Sequence, residues 1–528
     1  MSAPPVSPPC APPRWLTLVV LAAAVAAFLP SLGGGFLADD FAYVARFRAL
    51  PWSEWPRLFV HDWSGGVWGQ PLRELRPFAA LSFMGDARWF GGNALGYRLT
   101  NLALHLLATA LVVRLAWRYS AGSIAAGLVA GLAFALHPCN AEAVAWITGR
   151  IDLQATVAAL LFWLGAEIFV ACGGAARLAL ALAAFSIGVF SKELCLFAPL
   201  LLLLNWLLLT PRVPRSAWLR RGAVFLGVVF VLAFYHVCRR LAFGHDSIGY
   251  NLWTDEPAWH RQASYAGWLV PVLPFMGAAE WRAFPALAVA HGAWLGLAAV
   301  VALGLAFARW RGMRWLAAAC FFGGIWYFVT VFPLTGVVYF SPRHLYFPSV
   351  GLAVAAGFTC AALRGRTLLG IALVAWLGVA HIAALRPWQK AAAVSREALA
   401  ALDRELAAAA PDAVALTAVP ETLGPVWLWA WSSPQCVSAP FLQHPPKAVV
   451  ERPVNYTRSD RWAEERRPAE TVRAAPEAVV LYVDADGRIA CRRVPRAGLL
   501  AAADRLPPTA AGVSGEAWTA WVKSLAAP

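Results

Sequence analysis

Eleven apolar runs of about 20 residues, separated by short polar or basic segments, set what this chain can fold into. They lie near 15–32, 99–117, 121–137, 153–171, 176–191, 194–209, 222–242, 286–308, 315–333, 345–363 and 367–385. A bilayer core is about 30 Å thick and offers backbone groups no water, so such runs are expected as spanning helices. Composition agrees: 60% of the residues are hydrophobic and 14% are charged, against roughly 25% in a soluble chain. The expectation is an all-α polytopic membrane protein with about 11 transmembrane helices.

The net charge of +15 does not point to nucleic acid, because the basic residues sit in short loops rather than on an arm or stripe. With eleven spans, "WRYSAGS", "CGGAAR", "TPRVPRSAWLRR", "ARWRGMRW" and "RGR" all fall on the face of the N-terminus. By the positive-inside rule that face is cytoplasmic. Residues 1–14 then form a disordered, Pro-rich cytoplasmic N-terminus, with 15–32 an uncleaved first span. Segment 263–285 is broken by Pro271 and Pro274 and reads as a re-entrant or interfacial hairpin. The domain boundaries follow: a membrane domain over 15–386, a first extracytoplasmic loop over 33–98, and an extracytoplasmic tail over 387–528.

The first loop mixes aromatics and charges, as in "PWSEWPRLFVHDWSGGVW", which suits helices lying in the membrane interface. The tail opens on an Ala-rich amphipathic helix over 388–408, with strands at 413–419 and 478–483. A hairpin turning on Asp486-Gly487 completes a small soluble α/β domain. Nine cysteines show no metal-ligand spacing; Cys436 and Cys491, both in the tail, could pair if it is extracytoplasmic.

Four charged clusters share the outer face at span ends. Asp39-Asp40 follow the first span, in "GGGFLADDFAYV". His137, Asn140, Glu142, Arg150 and Asp152 fill the turn after the third, where Asn140 reads as a helix N-cap. Ser191-Lys192-Glu193 lie between the fifth and sixth spans, and Arg343-His344 open the tenth. Any one cluster is explained by side chains reaching from a span end to water. Together, acids beside Lys192, Arg343 and Arg150 at the lipid boundary suit transfer from a lipid-linked phosphate. A carboxylate would deprotonate an acceptor hydroxyl while the cations stabilise the departing phosphate.

Five segments carry a resemblance: "FLADDFAYV", "LRPFAALSFMGDARWFGGNALGYRLTNLALHLLATALV", "HPCNAEAVAWITGRIDLQATVAALLFWL", "SKELCLFAPLLLLL" and "SPRHLYFPSVGLA", in that order. Together they resemble the membrane part of the transmembrane-and-TPR (TMTC) protein O-mannosyltransferases, in the GT-C glycosyltransferase superfamily. Two departures stand out: Arg343-His344 replaces an Arg-Tyr pair, and no 34-residue TPR periodicity follows Lys390. The resemblance implies a GT-C-like helical bundle with an interfacial first loop, and the expected location is a bacterial inner membrane. It implies a sugar on a polyisoprenyl-phosphate donor and a protein, glycolipid or polysaccharide acceptor on the extracytoplasmic side. Asp39 or Asp40 would be the catalytic base, with Asp40, farther from the span, slightly favoured. Lys192, Arg343 and Arg150 would bind donor phosphate, and Arg76, His137, Asn140, Glu142, Asp152, Glu193 and His344 would line the site.

No cofactor beyond the lipid-linked donor follows from the sequence. A divalent metal stays open, since His137 and Glu142 are ligand types without a recognised metal spacing. A transporter or lipid-linked sugar flippase is the alternative, for which His105 and Glu167 are the candidates for polarity at membrane depth. A non-catalytic scaffold is the third reading.

Overall fold

The computed structural model describes residues 11–66, 72–210, 213–244, 313–331, 341–363, 366–430, 435–451, 468–503 and 515–527, with isolated positions between 301 and 308. The predicted 263–285 hairpin, most of the 286–308 span and most of the N-terminal segment lie outside the described residues. The first half contains α1 (Arg14–Phe28), α2 (Asp40–Ala49), α3 (Pro77–Phe90), α4 (Ala94–Tyr119) and α5 (Ile124–Ala135). Then come α6 (Asn140–Ala145), α7 (Arg150–Cys172), α8 (Ala175–Val189), α9 (Ala198–Leu208) and α10 (Arg215–Phe243). Helix α11 (Arg314–Cys320) runs through a π turn at Phe321–Ile325 into α12 (Trp326–Val331), followed by α13 (Tyr346–Ala362) and α14 (Arg366–Ala407).

Among the described residues, seven helices are long and apolar enough to cross a membrane, and the chain is a multi-pass membrane protein. The spans read at 121–137, 176–191 and 194–209 are shorter helices: Ile124–Ala135, Ala175–Val189 and Glu193–Leu208. Twelve residues of α5 cover only about 18 Å. Helix α5 ends two residues short of its run, where the turn at 137–149 is buried within the protein. Where non-helical backbone lies near membrane depth, burial in protein is what makes it tolerable. Lipid-facing stripes are plain elsewhere: on α10, Leu226, Phe230 and Leu241 are 73%, 76% and 70% exposed, at helical spacing.

The first loop has its own aromatic core. Tyr43 and Phe47 from α2 stack on Trp63 with centroids 4.4 and 5.7 Å away, and Phe47 lies 5.8 Å from Phe83 of α3. Trp52 and Trp89 stay outside, exposed.

The tail is not separated from the bundle at 387. Helix α14 runs unbroken past Pro387 and carries the chain from its apolar half into the tail. Strands β1 (Val414–Ala418), β4 (Ala448–Glu451), β5 (Glu477–Val483) and β6 (Ile489–Pro495) form a sheet of order β4-β1-β5-β6. Strand β1 pairs in parallel with β4 and β5, while β6 returns antiparallel after Gly487, whose φ is +87°. A two-stranded hairpin, β2 (Thr422–Leu423) and β3 (Val426–Trp427), follows β1. Period-two alternation splits β5 between two cores. Ala478 and Val480 face Trp518 and Val522 of α17 (Gly515–Ala526), with α15 (Pro468–Ala474) and α16 (Arg496–Ala503) alongside. Val479, Leu481 and Val483 join a core built jointly with Phe36, Phe41 and Phe47 of the first loop. Asp484 accepts the N–H groups of Asp486 and Arg488, as a plain turn requires. Cys436 and Cys491 are both free thiols, so the pairing allowed by sequence is not formed; Cys491 instead sits in the β6 ladder opposite Leu481.

Candidate functional site

The acid pair occupies a tight turn at the start of α2. Asp40 N donates to Leu37 O at 3.0 Å, and Ala38, the first of the two residues between, has a φ of +44°. Asp40 is fully buried and fully engaged. Its Oδ2 accepts Leu37 N at 2.9 Å, and its Oδ1 accepts both Thr148 N at 2.9 Å and Thr148 Oγ1 at 2.7 Å. Asp39 is partly exposed, and its Oδ1 meets no donor among the described residues. Burial pushes the Asp39 carboxyl up to about 8; the Asp40 charge adds to this, and Arg343 opposes it. Burial also raises Asp40, to about 6, held back by the N–H of Leu37 and by Thr148. The two neighbours differ in kind: three donors hold Asp40, while Asp39 keeps one oxygen without a donor among the described residues.

A second acid sits under the cation. Glu142, in the first turn of α6, accepts Ser341 Oγ at 2.6 Å and Arg343 N at 3.3 Å. Arg343 Nε lies 3.8 Å from Glu142 Oε1 and donates to Ser341 Oγ at 3.1 Å. The guanidinium also covers the Trp146 ring at 4.4 Å, and Trp146 stacks in turn on Trp388 of α14 at 6.0 Å. Burial raises the Glu142 carboxyl, with Arg343 opposing.

Lys192 is buried against Asp152 of α7, with which it forms an ion pair. Burial lowers the ammonium pKa, and Asp152 is the main opposing influence. Asp152, Thr156, Lys192, Leu194, Cys195 and Phe347 line a narrow gap beside the pair, with no room for a water molecule. Asp152 Oδ2 has no hydrogen-bond donor among the described residues. Next to it, Arg76 bridges Glu74 at 2.8 Å and Glu193 at 3.3 Å, and Arg239 approaches Glu193 at 3.9 Å. Burial opposes the Arg76 charge, but Glu74 and Glu193 together outweigh it and hold the guanidinium protonated. Burial raises Glu74 to about 7, with Arg76 opposing. His344 is buried within the influence of Lys192, Arg343 and Arg76. His137 Nδ1 accepts Cys139 N at 3.3 Å. Asp39, Glu142, Arg343, Lys192, Asp152, Arg76, Glu193 and His344 thus form one electrostatic cluster.

Two residues expected in this cluster do other work. Arg150 is fully buried and spent: Nε donates to Asn101 Oδ1 at 2.9 Å, Nη1 to Ser82 O at 3.3 Å and Nη2 to Tyr97 O at 3.0 Å. Nη2 also pairs with Asp86 at 2.6 Å, and the fork lies 4.6 Å over Phe83. It clamps the first loop to α4 and α7 and is not placed to grip a donor phosphate. Asn140 does not cap α6; its Nδ2 donates to Phe134 O at 2.7 Å and closes the end of α5, while Cys139 holds the cap position. His105 and Glu167, the two polar groups at depth, are engaged with other helices: His105 with Tyr346 Oη at 2.8 Å, Glu167 with Arg118 at 2.9 Å and Trp206 at 2.5 Å.

The sequence reading passed over Thr148, Ser341 and Arg98. Arg98 donates to Ser31 O, Ala145 O and Gly35 O, tying the glycine-rich approach to the α6 turn. All three lie inside the quoted motifs, but their partners are far away in the chain, so spacing could not assign them. Among the described residues no group of three or more His, Cys, Asp or Glu is arranged to hold a metal ion.

Fold and site define a multi-pass membrane protein whose acids and cations gather where short helices turn inside the bundle. Among curated proteins, the chain is similar to the protein O-mannosyl-transferase Tmtc2 of Drosophila melanogaster, 42% identical over 145 residues. That match covers 26% of this chain and 15% of the relative. It is also similar to TMTC4 of Homo sapiens, 31% identical over 175 residues, covering 29% and 23%. The chain therefore spans less than a quarter of the length of these curated relatives. No protein family's sequence profile matches it. Among solved structures it is similar to ArnT from Cupriavidus metallidurans in the apo state, with a TM-score of 0.41 at 15% identity over 92% of this chain and 98% of that one. The same protein bound to undecaprenyl phosphate gives a TM-score of 0.42 at 15% identity, over 91% and 98%.

Proposed function

We propose that this protein is a GT-C-type glycosyltransferase that moves a sugar from a polyisoprenyl-phosphate donor to an extracytoplasmic acceptor hydroxyl. The observation that carries the reading is the Asp39 carboxylate, whose Oδ1 meets no donor among the described residues, set against Arg343, with Lys192 in the same electrostatic cluster. The sequence similarity to protein O-mannosyl-transferases supports it. Asp39 takes the acceptor proton as the acceptor oxygen bonds to sugar C1. The bond from C1 to the phosphate oxygen breaks on the opposite face, inverting C1, and its electron pair leaves with the lipid phosphate. That phosphate gains a negative charge, which Arg343 and Lys192 are placed to neutralise in low dielectric.

The test is to incubate the purified protein in detergent with tagged polyprenyl-phosphate sugars and an acceptor panel, and to identify the labelled product by mass. Transfer by the wild type and its loss in Asp39→Asn is the expected result. Unchanged lipid-linked sugar with every donor would overturn the reading; detergent provides no gradient, so a transporter would leave the donor intact.

A further inference from the structure

Backbone 33–38, which delivers the chain to Asp39, is held by the C-terminal part of the protein rather than by the membrane bundle alone. Gly35 N donates to Ala392 O at 2.9 Å, and Arg396 reaches Gly33 O. Contact here is flush: a Cβ on Gly34 would come within 2.5 Å of Ala392 Cβ, and one on Gly35 within 3.0 Å of the Arg396 backbone. Ser395 Oγ donates to Phe36 O at 2.7 Å and accepts Trp429 Nε1 at 2.9 Å. Ala38 N donates to Leu428 O at 2.7 Å, just after the β2–β3 hairpin. Phe41, one residue beyond the acid pair, meets Trp429 edge-on at 6.3 Å and Phe441 at 4.9 Å.

The conformation held here is an unfavourable one. Ala38 is fully buried with a φ of +44°, a left-handed setting that residues with a Cβ adopt only where the surroundings enforce it. Its N–H bond to Leu428 O and the Ser395–Phe36 bond lie on either side of Leu37, the residue whose N–H caps Asp40.

We propose that Ser395 and Trp429 are positioning residues, through which the C-terminal domain holds the left-handed Ala38 turn that presents Asp39 to the site. The proposal rests on the glycosyltransferase reading and adds to it a role for the tail. Unclamped, the turn relaxes, and the Asp39 carboxylate shifts and gains water without any contact to donor being lost.

The experiment uses the full chain in detergent, with Ser395→Ala and Trp429→Phe; the phenyl keeps an aromatic ring there while losing the N–H and part of the indole's volume. Misplacing a catalytic group by about 1 Å costs roughly 10²-fold, so kcat is expected to fall about 10- to 100-fold with donor KM unchanged. The acidic limb of the kcat profile moves to lower pH, because a hydrated carboxylate ionises more readily. Adding Ala38→Gly to Ser395→Ala restores kcat, since glycine holds a positive φ unaided. Wild-type kcat in both variants, or a loss that glycine does not restore, overturns the proposal. A readout independent of turnover keeps it separate from the functional reading. The Tm gained at mildly alkaline pH by Asp39→Asn shrinks in the Ser395→Ala background if the clamp buries Asp39, and persists unchanged if it does not.

Discussion

Thr148 grips Asp40 twice, with its backbone N–H at 2.9 Å and its hydroxyl at 2.7 Å, both on one carboxylate oxygen. The other oxygen is taken by Leu37 N, so Asp40 has its acceptor capacity committed to joining α2 to the turn before α7. Neighbouring Asp39 keeps a buried oxygen without a donor among the described residues. On this geometry we propose Asp39, rather than the slightly favoured Asp40, as the base.

Substitution should separate the two roles. Asp39→Asn is expected to lower kcat by roughly 10²–10⁴, the usual contribution of a positioned base, with no loss of Tm. Asp40→Asn places an amide N–H₂ against donors and should destabilise the protein by about 1–3 kcal/mol. Thermal melting and transfer rate, measured on both proteins, check the assignment. Equal melting losses with equal activity losses would contradict it.

The pH dependence has a defined sign. Burial, helped by the Asp40 charge, raises Asp39 from an ordinary 3.8 to about 8. A group raised on folding stabilises the folded state below its unfolded pKa, and that contribution is lost as pH climbs from near 3.8 through about 8. Asp39→Asn removes the charged form, so its Tm should exceed that of the wild type at mildly alkaline pH and converge with it at low pH. Activity runs the other way. Transfer by the wild type should rise with pH through about 8 as the base ionises, and a kcat profile checks this.

How much of this was legible without coordinates follows from the range of each signal. Apolar runs report helices directly, and short strand-like runs reported β1 and β5, because both signals are local. The helix at α5 is shorter than its apolar run, Ile124–Ala135 against 121–137, while those at 175–189 and 193–208 match theirs to within two residues. The residues flanking α5 are apolar, and hydropathy cannot distinguish a residue in a span from one in a buried turn. Arg150 shows the limit for sites. A cation at a helix end looks the same in sequence whether it faces a ligand or, as here, Asp86, Asn101 and the Tyr97 carbonyl. Likewise the tail looked detachable, since nothing local shows that Val479 and Leu481 share a core with Phe41.

Arg150→Lys tests that correction. Lysine cannot reproduce a fork that serves Asn101, Ser82, Tyr97 and Asp86 together. The charge survives, but buried acceptors are left without donors at about 1–3 kcal/mol each, and a loss on that scale is expected in Tm or in yield of folded protein. Whatever fraction folds should keep the wild-type donor KM. A raised KM in well-folded protein would return Arg150 to the phosphate site.

Lys192 calls for a paired test, because its charge serves both the fold and the proposed chemistry. It is buried against Asp152, so Lys192→Met leaves a carboxylate unpaired in low dielectric, and both Tm and transfer should fall. Adding Asp152→Asn removes that stranded charge and should recover most of the Tm. Transfer should not recover, since the departing phosphate still lacks its compact cation; one such electrostatic partner is worth about 2.7–4 kcal/mol, or roughly 10²–10³ in kcat. Arg343→Lys should show a loss of similar order without the stability defect of an unpaired charge, because a cation remains beside Glu142 while the stacking on Trp146 goes. If Lys192→Met with Asp152→Asn melts and transfers like the wild type, Lys192 is a structural ion-pair member, and the phosphate must be met by Arg343 and Arg76 alone.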